Sequence, residues 1–234
     1  MVEQTAALAA RLSRRLKKRQ WTISTAESCT GGLIASLLTD MSGASTWYNQ
    51  GWIVYSNESK TKQLGVNVSY FEDGNVGAVS HEVAIQLARG AQYKSNSDMA
   101  IAITGIAGPS GASEDKEVGR VHVAISARDY YLVRRMDFGE NDRLDNKRSF
   151  AAFALRLALE AIDRIEDKET RLEEKTSKTK VPNDKKIEID ISTLDSLSEE
   201  WEGKLSWQSD KKTVVQDISK IDLASSTDWG HESN

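Results

Sequence analysis

Ser28 sits in the run Thr25-Ala26-Glu27-Ser28-Cys29-Thr30-Gly31-Gly32, where a strand breaks into a glycine-rich turn. A serine hydroxyl is a weak nucleophile until a base removes its proton. Histidine is the usual base, but the three here are poorly placed: His81 reads as one residue into a helix, His122 as mid-strand and His231 as part of a polar tail, none with an evident carboxylate partner. Lysine serves instead where burial or nearby positive charge lowers its pKa toward neutrality. A second cluster, Tyr55-Ser56-Asn57-Glu58-Ser59-Lys60, supplies a phenol at a strand end and an amine one turn into the next helix. Both can reach back over the strand ends near Ser28, so the two runs together read as a serine–lysine hydrolase site. The amides of Cys29 to Gly32, ahead of a helix, are candidate donors to a developing oxyanion. Taken singly, each piece has a plainer reading: Ser28 as a helix cap, Lys60 as part of a solvated helix face. Cys29, beside a helix start, has the setting of an activated thiol, but without a histidine partner it reads as a small buried packing residue.

Two more segments carry polar or flexible chemistry. Thr104-Gly105-Ile106-Ala107-Gly108-Pro109-Ser110-Gly111-Ala112-Ser113 follows an apolar strand, and strand ends are where α/β sheets bind ligands. It lacks the lysine and spacing of a P-loop, so it reads as a binding loop or a simple connection rather than a triphosphate cradle. Gly139-Glu140-Asn141-Asp142-Arg143 leads into a helix on which Arg143 and Lys147 share a face. That face either holds a phosphate or is merely solvated.

The elements that must position these groups alternate between strand and helix. Ala6, Leu8, Leu12 and Leu16 give an amphipathic helix from about Glu3 to Lys18. Trp21 to Thr25 is a short strand, and Gly31-Gly32 opens a helix through Leu38. Trp52 to Tyr55 is a strand, after which Asn57 is placed to cap a helix ending near Gly65. Ser80 caps a helix carrying Val83, Leu87 and Ala91. Met99 to Ile103 is continuously apolar, as in a strand covered on both faces. Val121–Ser126 and Tyr131–Phe138 read as a hairpin, and a long helix spans about Asp142 to Ile165. The fold class expected is α/β: a compact single domain with a mixed sheet packed by helices on both faces.

Composition sets the outer limits. The net charge is −4 and the pI near 5.6, which disfavours a nucleic-acid partner because backbone recognition needs clustered Lys and Arg. With one cysteine there is no internal disulfide, no apolar run reaches bilayer length, and the N-terminus lacks a signal-peptide core. A soluble cytoplasmic protein is expected, with no membrane partner. From Ile165 onward there are 17 acidic and 11 basic residues, against 18 and 20 before it. The expected division is therefore a domain over 1–165 and an acidic, largely disordered C-terminal tail over 166–234, too poor in apolar surface to offset its ordering entropy. Within the tail, Lys186–Ile191 alternates like a strand, and Trp201, Trp207 and Trp229 are apolar anchors. The tail reads as a solvated extension or as a docking segment for a protein partner; a homo-oligomer is left open.

Together the segments resemble the C-terminal domain of the CinA (competence/damage-inducible) proteins, the nicotinamide-nucleotide amidase family called PncC in bacteria. The matching stretches are Thr25–Gly32, Tyr55–Lys60, Gly77–Ser80, Thr104–Pro109 with Ser113-Glu114, Val118-Gly119, and Arg143 with Arg148, in order across roughly residues 5 to 165. The resemblance implies hydrolysis of the carboxamide of nicotinamide mononucleotide, a small-molecule nucleotide substrate, without metal or cofactor. It implies Ser28 as nucleophile, Lys60 as base and Tyr55 as proton relay. Substrate contacts are implied for Thr30, Gly31 and Gly32, for Thr104, Gly105 and Gly108, and for Arg143 and Arg148. Ala112 stands where the family commonly has glycine, and Glu117 where proline is common; a methyl or an acid there would crowd the loop or repel phosphate. Two alternatives stand beside this reading: a CinA-like binding or scaffold protein acting through its tail, and a Ser/Lys hydrolase of another amide.

Overall fold

The computed structural model describes residues 2–178, except 73, 74, 114, 129, 140 and 141. Five strands form one sheet: β1 (Ile23–Glu27), β2 (Tyr48–Ile53), β3 (Met99–Gly105), β4 (Arg120–Ala127) and β5 (Tyr130–Asp137). Their spatial order is β2-β1-β3-β4-β5. β1 runs parallel to both β2 and β3, while β4 and β5 pair antiparallel, so the sheet is mixed as expected. The helices are α1 (Val2–Arg19), α2 (Leu33–Thr39), α3 (Asn57–Leu64), α4 (His81–Ser95) and α5 (Arg143–Lys178).

Strand alternation sends successive side chains to opposite faces. Ile101 and Ile103 of β3, with Val121, Val123 and Ile125 of β4, pack under Leu12 and Leu16 of α1, Ile34 and Leu38 of α2, and Phe150 and Leu155 of α5. The other face is built from small residues, Ala100, Ala102 and Ala124, against Val83, Leu87 and Ala91 of α4 and Leu64 of α3. Alanines on that face let α4 lie close to the sheet. Helices therefore cover both faces, and β3 is buried on both, as its unbroken apolar run predicts.

Several boundaries differ from the sequence reading: β1 runs Ile23–Glu27 rather than Trp21 to Thr25, and β2 ends at Ile53 rather than Tyr55. β2 begins at Tyr48, because parallel pairing with β1 extends through residues of low strand propensity, Asn49, Gln50 and Gly51. The N-cap of α3 is Ser56, whose side chain accepts from the Ser59 amide, rather than Asn57. Helix α5 does not stop near Ile165 but continues to Lys178. Its charged extension is tied to α1: Arg15 pairs with Asp163 and Glu166, and Arg19 with Glu166 and Glu169. Glu, Lys and Arg are also good helix formers, so this segment needs little burial to stay helical. The tail expectations beyond residue 178, including disorder, the Lys186–Ile191 strand and the three tryptophans, lie outside the described residues.

Candidate active site

β1 is flanked by β2 on one side and β3 on the other, so the chain leaves its carboxyl end at a topological switch point, where open α/β sheets bind ligands. The register makes the three strands end level. Glu27 pairs with both Ile53 and Ile103, so Ser28, Val54 and Thr104 follow on adjacent strands at one height. Backbone bonds lock the alignment: Ser28 N–H donates to Ile103 O at 3.1 Å, and Val54 N–H to Glu27 O at 2.8 Å.

Above these ends lies a cavity of about 300 Å³. Its lining includes Ser28, Cys29, Tyr55, Lys60, Thr104 and Arg143, drawn from four separate stretches of chain. Ser28 is 8% exposed and its hydroxyl makes no hydrogen bond among the described residues. Lys60 is 1% exposed. It sits on the inner face of α3, whose start is fixed by the Ser56 cap, and its Nζ donates to the carbonyls of Tyr55 at 3.0 Å and Ser56 at 3.5 Å. Burial pushes the Lys60 amine down to about 8, against an opposing pull from Cys29. A buried amine with two neutral acceptors and no carboxylate bonded to it loses its proton readily.

The Tyr55 ring is exposed, and its phenol oxygen accepts from Arg143 Nη2 at 2.7 Å. Arg143 Nη1 also donates to the Gly108 carbonyl, so this guanidinium bridges the β2–α3 turn and the glycine loop. Tyr55 thus meets Lys60 through its backbone carbonyl, while its phenol serves Arg143. Thr104 Oγ1 donates to Ala78 O at 2.7 Å and pins the Gly77–Ser80 segment to the cavity wall. A Cβ on Gly105 would come within 2.6 Å of Arg120 O, so glycine is needed for the close approach of β3 to β4.

Other predicted residues lie around rather than along the cavity. Gly108 (φ +84°) contributes its carbonyl to Arg143. Thr30 is fully buried with an unpartnered hydroxyl. Above Gly31, the Lys147 amine lies 3.7 Å from where a Cβ would stand. The Gly32 N–H is committed to a neighbouring carboxylate, and Arg148 pairs with Asp145 at 3.2 Å along its own helix. Ala112 and Glu117 are exposed and line no part of the cavity, so neither the methyl nor the acid crowds it.

That carboxylate is Glu27, to which the sequence reading assigned no role. It is 1% exposed, and it accepts from the amides of Gly32 (3.0 Å) and Ile34 (3.1 Å) through Oε2 and of Ala35 (2.7 Å) through Oε1. It caps α2 from five residues upstream, where Gly32 offers no side chain to do so. An acid immediately before a Ser-Cys-Thr-Gly-Gly turn was the available signal. The remaining candidate groups fall away from the chemistry. Burial pushes the Cys29 thiol up to about 12, so it stays protonated. His122 packs edge-on against His81, with ring centroids 4.6 Å apart, and burial lowers it to about 4.

A model of the CinA C-terminal domain matches residues 5–162. The chain belongs to the CinA C-terminal domain family. It is 42% identical over 149 residues to the nicotinamide-nucleotide amidohydrolase PncC of Escherichia coli K12, a match covering 63% of this chain and 88% of that one. It is 48% identical over 137 residues to a CinA-like protein of Geotalea daltonii, covering 58% of this chain and 33% of the relative. The chain thus spans about a third of the longer CinA-like proteins it matches. The crystal structure of competence/damage inducible protein CihA from Agrobacterium tumefaciens superposes with a TM-score of 0.65 at 39% identity, over 68% of this chain and 96% of that chain. No helix among the described residues is long and apolar enough to cross a membrane.

Proposed function

We propose that this chain is an amidohydrolase that converts nicotinamide mononucleotide to nicotinic acid mononucleotide and ammonia. The observation that carries the reading is the buried Lys60 amine, lowered to about 8, lining one cavity with an unbonded Ser28 hydroxyl. Support for the substrate comes from relatives named nicotinamide-nucleotide amidohydrolase, matched over 88% and 92% of their length at 42% and 38% identity.

In this reading neutral Lys60 takes the Ser28 proton as Oγ attacks the carboxamide carbon, giving a tetrahedral intermediate. Lys60 then returns the proton to the departing nitrogen, ammonia leaves, and an acyl-enzyme remains on Ser28. Water, deprotonated by the same amine, attacks the acyl carbon and releases the acid and the serine. Arg143, oriented by Tyr55 and Gly108, binds the substrate phosphate. Tyr55 accepts from Arg143 and keeps its own phenolic hydrogen for relay to substrate.

The test is product analysis. Incubation with nicotinamide mononucleotide should release ammonia and the acid mononucleotide in equal amounts, and a panel of unrelated carboxamides should be far poorer substrates. Hydrolysis of the panel with none of the mononucleotide would replace this substrate with another amide.

A further inference from the structure

β2 and β5 form the two edges of the sheet, and they differ in how they are defended. β5 carries Arg134, Arg135 and Asp137, all in ion pairs. A second copy of β5 would set arginine beside arginine, and such charges are how natural edges resist pairing. β2 has no such protection. In a chain with 28% charged residues, none lies between Asp40 and Glu58, a stretch that holds the whole of β2. Gly51 is open to solvent, Ile53 is 61% exposed and Tyr55, just past the strand, 59%. Large apolar side chains left in water along an undefended edge mark a contact surface.

The backbone fixes which groups this edge offers. Val54 N–H donates to Glu27 O and Glu27 pairs with Ile53, so Trp52 and Val54 direct their backbone groups toward β1. Alternation then turns the N–H and C=O of Gly51 and Ile53 outward. Two outward residues flanking an inward one match the repeat of an antiparallel ladder. About a two-fold axis through Trp52, Gly51 of each copy exchanges both bonds with Ile53 of the other. The two Trp52 residues then face one another as a non-hydrogen-bonded pair, where cross-strand aromatic contacts are closest and favourable. Trp52 is only half-buried, against the α4 face, so its ring has surface left to share. In this arrangement no charge meets a like charge, and glycine leaves room opposite the branched Ile53. A charged peptide would find no counter-ion on the same edge.

We propose that β2 is a self-pairing edge, to which a second copy of this chain adds antiparallel, joining the two sheets into one. The pairing does not depend on the amidase reading, but it lies beside that site. Ile53 Cδ1 is 3.0 Å from where a Gly32 Cβ would stand, and Tyr55 holds Arg143.

The test weighs the full-length protein by light scattering at micromolar concentration and follows its amides by hydrogen exchange. The mass should be twice the 25.9 kDa of one chain, with the Gly51 and Ile53 amides protected in the dimer and unprotected on dilution to monomer. Ile53→Lys places a charge on each side of the axis and should weaken dimerisation by about tenfold or more. Tyr131→Lys, on the β5 edge, should keep the dimer. If Ile53→Lys does not melt cooperatively, Gln50→Lys, exposed on the same strand, is measured in its place. A monomer whose Gly51 and Ile53 amides exchange freely overturns the proposal. So does a monomer in which they are protected, because the occupant is then another part of the same chain. A dimer that withstands a lysine on β2, or that leaves both amides unprotected, overturns it as well.

Discussion

In the proposed mechanism Lys60 is the residue on which the chemistry turns, and its burial has two measurable consequences. In the free protein burial lowers its amine to about 8, and only the neutral form would accept a proton. The value of kcat/KM should therefore rise with pH through about 8 and then level off; a profile flat from pH 6 to 9 would contradict Lys60 as base. The second consequence is a stability cost. Below pH 8 both folded and unfolded chains hold this proton, so the cost of burying the charge is fully present at pH 7. Between about 8 and the ordinary 10.5 the unfolded chain holds a proton that the folded one has lost, so stability rises with pH across that window. The shift corresponds to about 3 kcal/mol. Lys60→Met, of similar volume, should abolish activity yet melt no lower than wild type at pH 7, with its advantage shrinking toward pH 10; urea or thermal melts at several pH values check this. From its own spacing this residue reads equally as part of a solvated helix face, and only the family resemblance singles it out as a base. Its depth is not legible there: burial of Lys60 depends on α3 packing against α4, which no local spacing reveals. Tyr55 shows the same limit, because its partner Arg143 is distant along the chain.

At the scale of elements, the site is a set of strand ends held level and linked by turns that admit no bulk. Gly105 is the tightest of the cavity-lining positions, since a methyl there would press on Arg120 O and Val121 Cα of β4, backbone atoms that cannot swing aside. Gly105→Ala should cost about 1–3 kcal/mol of stability and lower activity by displacing Thr104 and the loop beyond it. A melting temperature equal to wild type would show that β4 yields more easily than the register suggests. The strands and helices were legible because their apolar periods match their burial: Met99–Ile103 reads as doubly covered, and Val83, Leu87 and Ala91 do face the sheet. Cap and edge positions were less so. Ser56 and Asn57 are both good caps, and only the Ser59 amide decides between them. Glu27 was hidden for a related reason, as its three partners lie in a turn and helix whose geometry is set by the sheet.

For the whole molecule, the family match ends at residue 162, while α5 continues to Lys178 and pairs with α1 through Glu166 and Glu169. A chain ending at 178 should keep the melting temperature and activity of the domain. One ending at 162 should lose the Arg15 and Arg19 partners and melt lower, by the equivalent of about 1 kcal/mol per pair at most. Equal melting temperatures for the two would make the extension dispensable. Charge and aliphatic content change at Ile165, which marks a boundary in the sequence, but a helix held by ion pairs needs no apolar stripe. The central proposal is that Ser28 is the nucleophile of an amidase. The most direct measurement is ammonia release from nicotinamide mononucleotide by wild type and by Ser28→Ala, with matched melting curves. Wild type should release ammonia, and the variant should lose activity on the order of 10⁴-fold or more. A folded Ser28→Ala enzyme with wild-type turnover would contradict it.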